Sequence, residues 1–136
     1  SPFIPLINNG LTKFQPVYVK DVAKAVYVVI NNNIHIGQTY NLGGVEIINF
    51  KEIIDFVLLK IRKKRIYISL SFPLAKLIAI FFSIFPSSPI TLDQVRLLEK
   101  DNIIPEKGQG FKELGIKPTS IYLQAGEYLN RYISKY

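Results

Sequence analysis

Residues 14–26, FQPVYVKDVAKAV, pass from a β-favouring run into a helical pattern with no loop between them. Val17 and Val19 flank Tyr18 in the extended half, and Pro16 confines that half to a strand start or a sheet edge. Asp21 stands where an N-cap belongs, and Val22, Ala25, Val26, Val29 and Ile30 recur behind it at the spacing of a core-facing helix. A strand joined this tightly to a helix is the opening of a crossover connection. Parallel strand pairs covered by helices are therefore expected.

The rest of the chain continues the alternation. NNN, residues 31–33, stops the first helix, and QTYNLGG, residues 38–44, carries Tyr40 and Leu42 along a short strand into a turn at Gly43 and Gly44. In INFKEIIDFVLLKI, Asn49 and Glu52 have the spacing of a capping box, and Phe50, Ile53, Ile54, Val57, Leu58 and Ile61 form the expected buried face. RKKR ends that helix, IYISL (66–70) alternates like a strand, and a third helix is expected from Pro73 to Phe85. Thr91 and Gln94 open another box-like helix through about Lys100. A looser stretch with Gly108 and Gly110 follows, then a helical turn closed by Gly115. The last helix begins after Thr119, with Tyr122, Ala125, Leu129, Tyr132, Ile133 and Tyr136 on one side. The class is thus α/β, or mixed α+β, helix-rich with few strands. Three short strands make a sheet that more naturally extends a larger one than stands alone.

With 136 residues, 49% of them hydrophobic, the chain can bury one sizeable core, so residues 1–136 are expected to form a single domain. Lys and Arg outnumber Asp and Glu 17 to 10, and the net charge of +7 favours anionic partners: a membrane surface, a phosphorylated ligand or nucleic acid. The absence of cysteine excludes disulfides, thiol nucleophiles and thiolate metal sites. Methionine is absent too, so Ser1 is expected to open a fragment rather than a translated chain. No signal peptide precedes the first element, which points to the cytoplasm or the inner face of a membrane.

The runs PLINNGLTKFQPVYVKDVAKAV, TYNLGG, NFKEIIDFVL, SFPLAKL and ITLDQVRLLEKDNI occur in that order and span essentially the whole chain. Together they resemble the C-terminal half of an extended or atypical short-chain dehydrogenase/reductase of the NAD-dependent epimerase/dehydratase kind. Within that group, the sequence is most similar to the nucleotide-binding accessory subunit of respiratory complex I (NADH:ubiquinone oxidoreductase) and its bacterial relatives. YNLGG alone recurs widely, whereas QPVYVKDVA joined to ITLDQVRLLEKDN is specific. The resemblance implies a substrate-lobe portion of a Rossmann-like fold, either a non-catalytic piece of a complex-I-associated protein that serves fold completion and docking or the substrate-binding lobe of an active NAD(P)-dependent reductase or epimerase. It also implies that the dinucleotide-binding half lies upstream, that NAD(P)H belongs to the full-length parent and not to this chain alone, and that complex I is a partner.

The residues needed for hydride chemistry are not in these 136. No GxGxxG lies between a strand and a helix, and GQG at 108–110 has no strand before it. No tyrosine is followed four positions later by lysine: Tyr18 is followed by Val22, Tyr27 by Asn31, Tyr67 by Ser71 and Tyr128 by Tyr132. Without such a lysine a phenol stays near pKa 10 and idles as an acid or base. No catalytic residue is assigned.

Two groups of residues are candidates for function. Gln15, Tyr18 and Asp21 fall where, in a complete relative, the cleft between lobes would lie; they line a pocket edge, or else Asp21 caps the helix, Tyr18 packs and Gln15 faces solvent. The second group is the helix carrying Leu77, Ile78, Phe81, Phe82 and Phe85 with the basic turn Arg62, Lys63, Lys64 and Arg65. About twelve helical residues rise roughly 18 Å, short of a hydrocarbon core of about 30 Å, so this helix lies on a membrane or partner, or is core, but does not span. His35, the only histidine, reads as an exposed turn residue and cannot by itself hold zinc. No paired carboxylates, no GxSxG and no second metal ligand stand out. Nucleic-acid binding is disfavoured, because most aromatics fall on helical faces and RKKR is one short run rather than a stripe. Unpaired strand edges would favour self-association.

Overall fold

The computed structural model describes residues 2–85 and 90–133. Along them run β1 (Phe3–Ile7), β2 (Lys13–Phe14), α1 (Val19–Ile30), β3 (Ile48–Asn49), α2 (Phe50–Lys60), β4 (Ile66–Leu70), α3 (Phe72–Phe82), α4 (Leu92–Leu97) and α5 (Ile121–Ile133). Two 3-10 turns, Asn8–Gly10 and Asn33–His35, complete the list. The class is mixed α/β, helix-rich with few strands, consistent with the C-terminal portion of a Rossmann-like fold. The residues gather into two compact units, Ser1–Phe14 with Ile48–Asn102 and Gln15–Ile47 with Ile103–Tyr136.

In the first unit β1 and β4 pair in parallel, from Phe3 opposite Ile66 to Ile7 opposite Leu70. β1 is not among the strands expected from the sequence, and Pro2 and Pro5 are residues that seldom sit within a ladder. The register removes the objection. The Pro2 carbonyl accepts from the Ile66 N–H at 3.1 Å, so Ile4 and Leu6 face β4 while Pro5 faces the open edge, where no donor is required. β2 pairs antiparallel with β3 for two residues, and Gln15–Tyr18 then run on outside any ladder. The expected strand FQPVYV is shorter than its β-favouring residues suggest, because Pro16 has no N–H to give.

α2 starts on the expected capping box: Asn49 Oδ1 accepts from the Glu52 N–H at 2.8 Å and the Glu52 carboxylate from the Asn49 N–H at 2.7 Å. Thr91 and Gln94 open α4 in the same way. That helix ends at Leu97 rather than near Lys100, and the Leu98 carbonyl accepts instead from the Thr12 hydroxyl. Ile7, Ala75, Ala79 and Val95 form the core of this unit, flanked by Leu70, Phe72, Ile90, Leu92 and Leu98. The expected face of α2 is only half-buried throughout.

In the second unit α1 packs Ala25, Val28 and Val29 against Tyr40, Leu42, Phe111 and Leu114. The strand expected over QTYNLGG reduces to one parallel bridge, Tyr40 to Gln109, with the Asn41 N–H donating to the Gln109 carbonyl at 2.8 Å. The turn before Gly115 closes as expected, with Gly115 at φ +68° and the Ile116 N–H donating to the Phe111 carbonyl at 3.0 Å. α5 follows Thr119 as expected. On its expected face Ala125 and Leu129 are half-buried and Tyr122 is exposed, while Tyr132, Ile133 and Tyr136 lie outside the described side chains.

Candidate functional site

Asp21 is not the N-cap of α1. The helix begins two residues earlier with Tyr18 as the cap, and Asp21 is its third residue, with 0% of its surface exposed. Its carboxylate accepts from the Thr119 N–H at 2.6 Å and the Thr119 hydroxyl at 3.2 Å, with the Lys24 ammonium at 3.4 Å. Burial alone would raise this carboxyl's pKa; the two Thr119 donors and Lys24 outweigh it and hold the group below its usual value. A second carboxylate acts close by: Glu46 accepts from the Ser120 hydroxyl and from the Ile121 N–H at 3.2 Å, capping α5. Nothing local to residues 21 or 46 signals partners some 75 to 98 positions away.

Gln15 does not face solvent. Its amide donates to the Gly44 carbonyl at 3.0 Å and accepts from the Ile104 N–H at 3.1 Å, tying three segments together. It also lines a cleft of about 640 Å³ with Asn41, Ile104, Phe111, Lys112 and Lys117. Tyr18 packs beside a different hollow, of about 380 Å³, with Val17, Ile121 and Tyr128. The three residues expected at one pocket edge are thus divided: Gln15 at a cleft, Tyr18 at an apolar hollow, Asp21 buried. His35 also departs from expectation. It is 7% exposed, its Nδ1 lies 2.7 Å from the Tyr40 hydroxyl, and the rings meet edge-on at 5.6 Å. The turn at Gly37, φ +75°, brings Tyr40 back onto it.

Among the described residues, the N-termini of α1, α2, α3 and α5 offer a poor seat for the pyrophosphate of a dinucleotide. The first turn of α2 holds the Glu52 carboxylate, that of α1 holds Asp21, that of α3 holds Pro73, and the start of α5 is capped by Glu46. A phosphate would meet a carboxylate or a missing donor at each, with no glycine to let it approach. One tyrosine does meet a lysine. Lys51 Nζ lies 5.2 Å from the centre of the Tyr67 ring, but Asp55 stands between them, bonded to Lys51 at 2.6 Å and to the Tyr67 hydroxyl. Burial and the bond to Asp55 push the Tyr67 phenol up to about 12, the wrong direction for a proton carrier. The trio fastens α2 to β4.

α3 buries Ala75 and Ala79 and leaves much of the rest in solvent. Leu77, Phe81 and Phe85 are 65%, 66% and 56% exposed; Ile78 and Phe82 are half-buried on the inner side. Leu74, Ile80 and Ile84 join the exposed set. At about 100° per residue Leu74, Leu77, Ile80 and Phe81 fill one uncharged arc of roughly 120°; Ile84 and Phe85 follow in the turn beyond Phe82, where the helix expected through Phe85 ends. Of the basic turn, Arg62, Lys63 and Lys64 are exposed and Arg65 is half-buried, its guanidinium donating to the Lys64 carbonyl at 2.9 Å. Among the described residues no helix is long and apolar enough to cross a membrane, and no group of three His, Asp or Glu side chains gathers to hold a metal.

Comparison with known proteins adds the missing context. The chain is 32% identical over 140 residues to NADH dehydrogenase (ubiquinone) 1 alpha subcomplex subunit 9, mitochondrial, of Arabidopsis thaliana, an alignment covering 96% of this chain and 35% of that protein. It is 26% identical over 131 residues to the mouse protein of the same name. To the NADH-ubiquinone oxidoreductase 40 kDa subunit, mitochondrial, of Neurospora crassa, it is 29% identical over 131 residues. All three are subunits of a mitochondrial NADH dehydrogenase. The similarity agrees with the resemblance to a complex I subunit drawn from the sequence motifs. In each case the chain spans 35% of the relative's length. No family model matches the chain.

Proposed function

We propose that this chain is the C-terminal, non-catalytic portion of a reductase-like subunit associated with NADH:ubiquinone oxidoreductase. It helps to complete that subunit's fold and docks it on the inner face of the membrane; NAD(P)H binding belongs to the remainder of the parent. The observation that carries the docking is the exposed arc of α3. Four large apolar side chains on one uncharged arc of α3, continued by Ile84 and Phe85 in the turn after it, make a run of exposed apolar surface of the kind that marks interaction sites. The partner assigned is an anionic bilayer surface. The same unit exposes Arg62, Lys63 and Lys64, the chain carries +7, and α3 is long enough to lie in an interface but not to cross it. Alignment to complex I subunits over nearly the whole chain supports the assembly.

Flotation with vesicles tests the reading. Wild-type protein should rise with vesicles containing about a third phosphatidylglycerol and stay behind with pure phosphatidylcholine. Replacing Arg62, Lys63 and Lys64 by serine should weaken binding roughly a hundredfold, at about 1 kcal/mol per basic residue. Leu77→Asp with Phe81→Asp should abolish it without unfolding the protein. Equal affinity for neutral vesicles, or a Leu77-dependent complex with a protein subunit in place of lipid, would overturn the assignment.

A further inference from the structure

In the first unit β1, β2, the start of α2 and α4 meet around an apolar hollow of about 410 Å³ that their own side chains do not fill. Pro5, Phe14, Phe50, Ile90 and Leu97 are among its walls, and no charged side chain lines it. Such a space forgoes the contacts that close packing supplies, so something must prop it open. The props are main-chain bonds. The Phe50 N–H donates to the Thr12 carbonyl at 3.0 Å, the Asn102 N–H to the Lys13 carbonyl at 2.7 Å, and the Lys13 N–H to the Asp101 carboxylate at 2.8 Å. The Thr12 hydroxyl donates to the Leu98 carbonyl. Together they hold the wall of Phe14 and Phe50, whose ring centres stand 6.3 Å apart, at a fixed distance from the end of α4. Leu97, 73% exposed although it lines the hollow, marks the mouth.

The chemistry of the walls selects the occupant. A peptide would bring N–H and C=O groups that find no partner there, because the main chain around residues 12–14 is bonded within the unit. A hydrocarbon chain brings none. A methylene takes nearly the volume of a liquid water molecule, about 30 Å³, so the hollow holds roughly a dozen of them. Gln94 is the one polar side chain in the lining. Its Oε1 accepts from the Thr91 N–H at 3.1 Å, which leaves the amide N–H groups as donors. We infer that the hollow takes one acyl chain of a membrane phospholipid, with the ester carbonyl of that chain accepting from Gln94 Nε2. The reading that α3 of the same unit lies on an anionic bilayer supplies the source of the lipid, and the inference rests on it for the source alone.

Lysophosphatidylglycerols with chains of about eight to sixteen carbons, added as monomers below their micelle concentrations, test the site without vesicles. Calorimetry should show one lipid bound per protein chain. Affinity should rise about fourfold per added methylene to roughly twelve carbons and then level off, since further methylenes stay in water. Leu97→Asp, at a position exposed enough to spare the fold, should weaken binding of the twelve-carbon lipid at least tenfold. Gln94→Glu, which still accepts from Thr91 but no longer donates, should weaken it about tenfold, and Leu97→Met should bind as wild type does. Affinity that climbs steadily through sixteen carbons, or that ignores Leu97→Asp and Gln94→Glu, would overturn the inference by showing partition without a site. Free dodecanoate that binds tenfold more tightly than its lysolipid would overturn the assignment to a phospholipid. So would dimers that Leu97→Asp dissolves in a protein that binds no lipid monomer, because the hollow would then seat a second copy. Flotation reads α3 and monomer binding reads the hollow, so the two readings fail separately.

Discussion

Asp21→Asn isolates the structural claim on which the second unit depends. The substitution keeps the shape of the side chain and removes the charge that strengthens its two bonds to Thr119, at 2.6 Å and 3.2 Å. A hydrogen bond to a charged group exceeds a neutral one by about 1 kcal/mol, so the loss should be about 2 kcal/mol at neutral pH. The Thr119 amide should then exchange roughly thirtyfold faster. Thr119→Ala, which removes only the longer bond, should cost about 1 kcal/mol. The pH dependence has a defined sign. The folded carboxyl titrates below its unfolded value, so its stabilisation is complete above about pH 4 and disappears as the pH falls through the folded pKa. Urea titrations followed by circular dichroism, run from pH 7 downward, should show a constant gap between wild type and variant to about pH 5 and a narrowing gap below about pH 4. Asp55 and Glu113, also held below their usual values, titrate in both proteins and cancel in the difference. A variant within about 0.5 kcal/mol of wild type, with no narrowing in acid, would refute the argument.

Two further substitutions test backbone geometry. Arg62 ends α2 at φ +54°, with its N–H bonded to the Leu59 carbonyl and that of Lys63 to the Leu58 carbonyl, a left-handed cap that glycine adopts without strain. Arg62→Gly should therefore raise stability by about 1 kcal/mol in urea titration while weakening vesicle binding by about the same amount. Gly44→Ala should cost about 3 kcal/mol or more, read as a fall in the denaturation midpoint. A Cβ there would lie 1.7 Å from the Pro16 carbonyl oxygen, and the obstacle is backbone that cannot swing away.

Local signals were legible and distant ones were not. The starts of α2 and α4 follow from Asn49 with Glu52 and Thr91 with Gln94, pairs that do their work within one turn. The turn closed by Gly115 is equally local, whereas the start of α5 after Thr119, though expected, is capped by the distant Glu46. Asp21 misled because its residue type and its place before an apolar stripe match an N-cap, while the group that claims it lies 98 positions downstream. β1 went unplaced, and its two prolines are harmless only because of the edge of the pair they face. His35 was hidden by Tyr40, which reaches it only once Gly37 has turned the chain. In each miss the deciding partner is set by tertiary structure, which periodicity and capping rules do not encode.

The character of the exposed α3 side chains bears on what covers them. The free arc of α3 is wide, rich in Phe and Leu, and free of charge, and the half-buried Phe82 backs it, meeting the rings of Phe81 and Phe85 at 5.4 and 6.1 Å. An arc of that breadth gains from any apolar phase that surrounds it and needs no shape match. Leu77→Asp should therefore abolish flotation while the apolar Leu77→Met leaves it unchanged; loss of binding on Leu77→Met would mean that the partner demands a shape match, and the lipid assignment would give way to a protein interface.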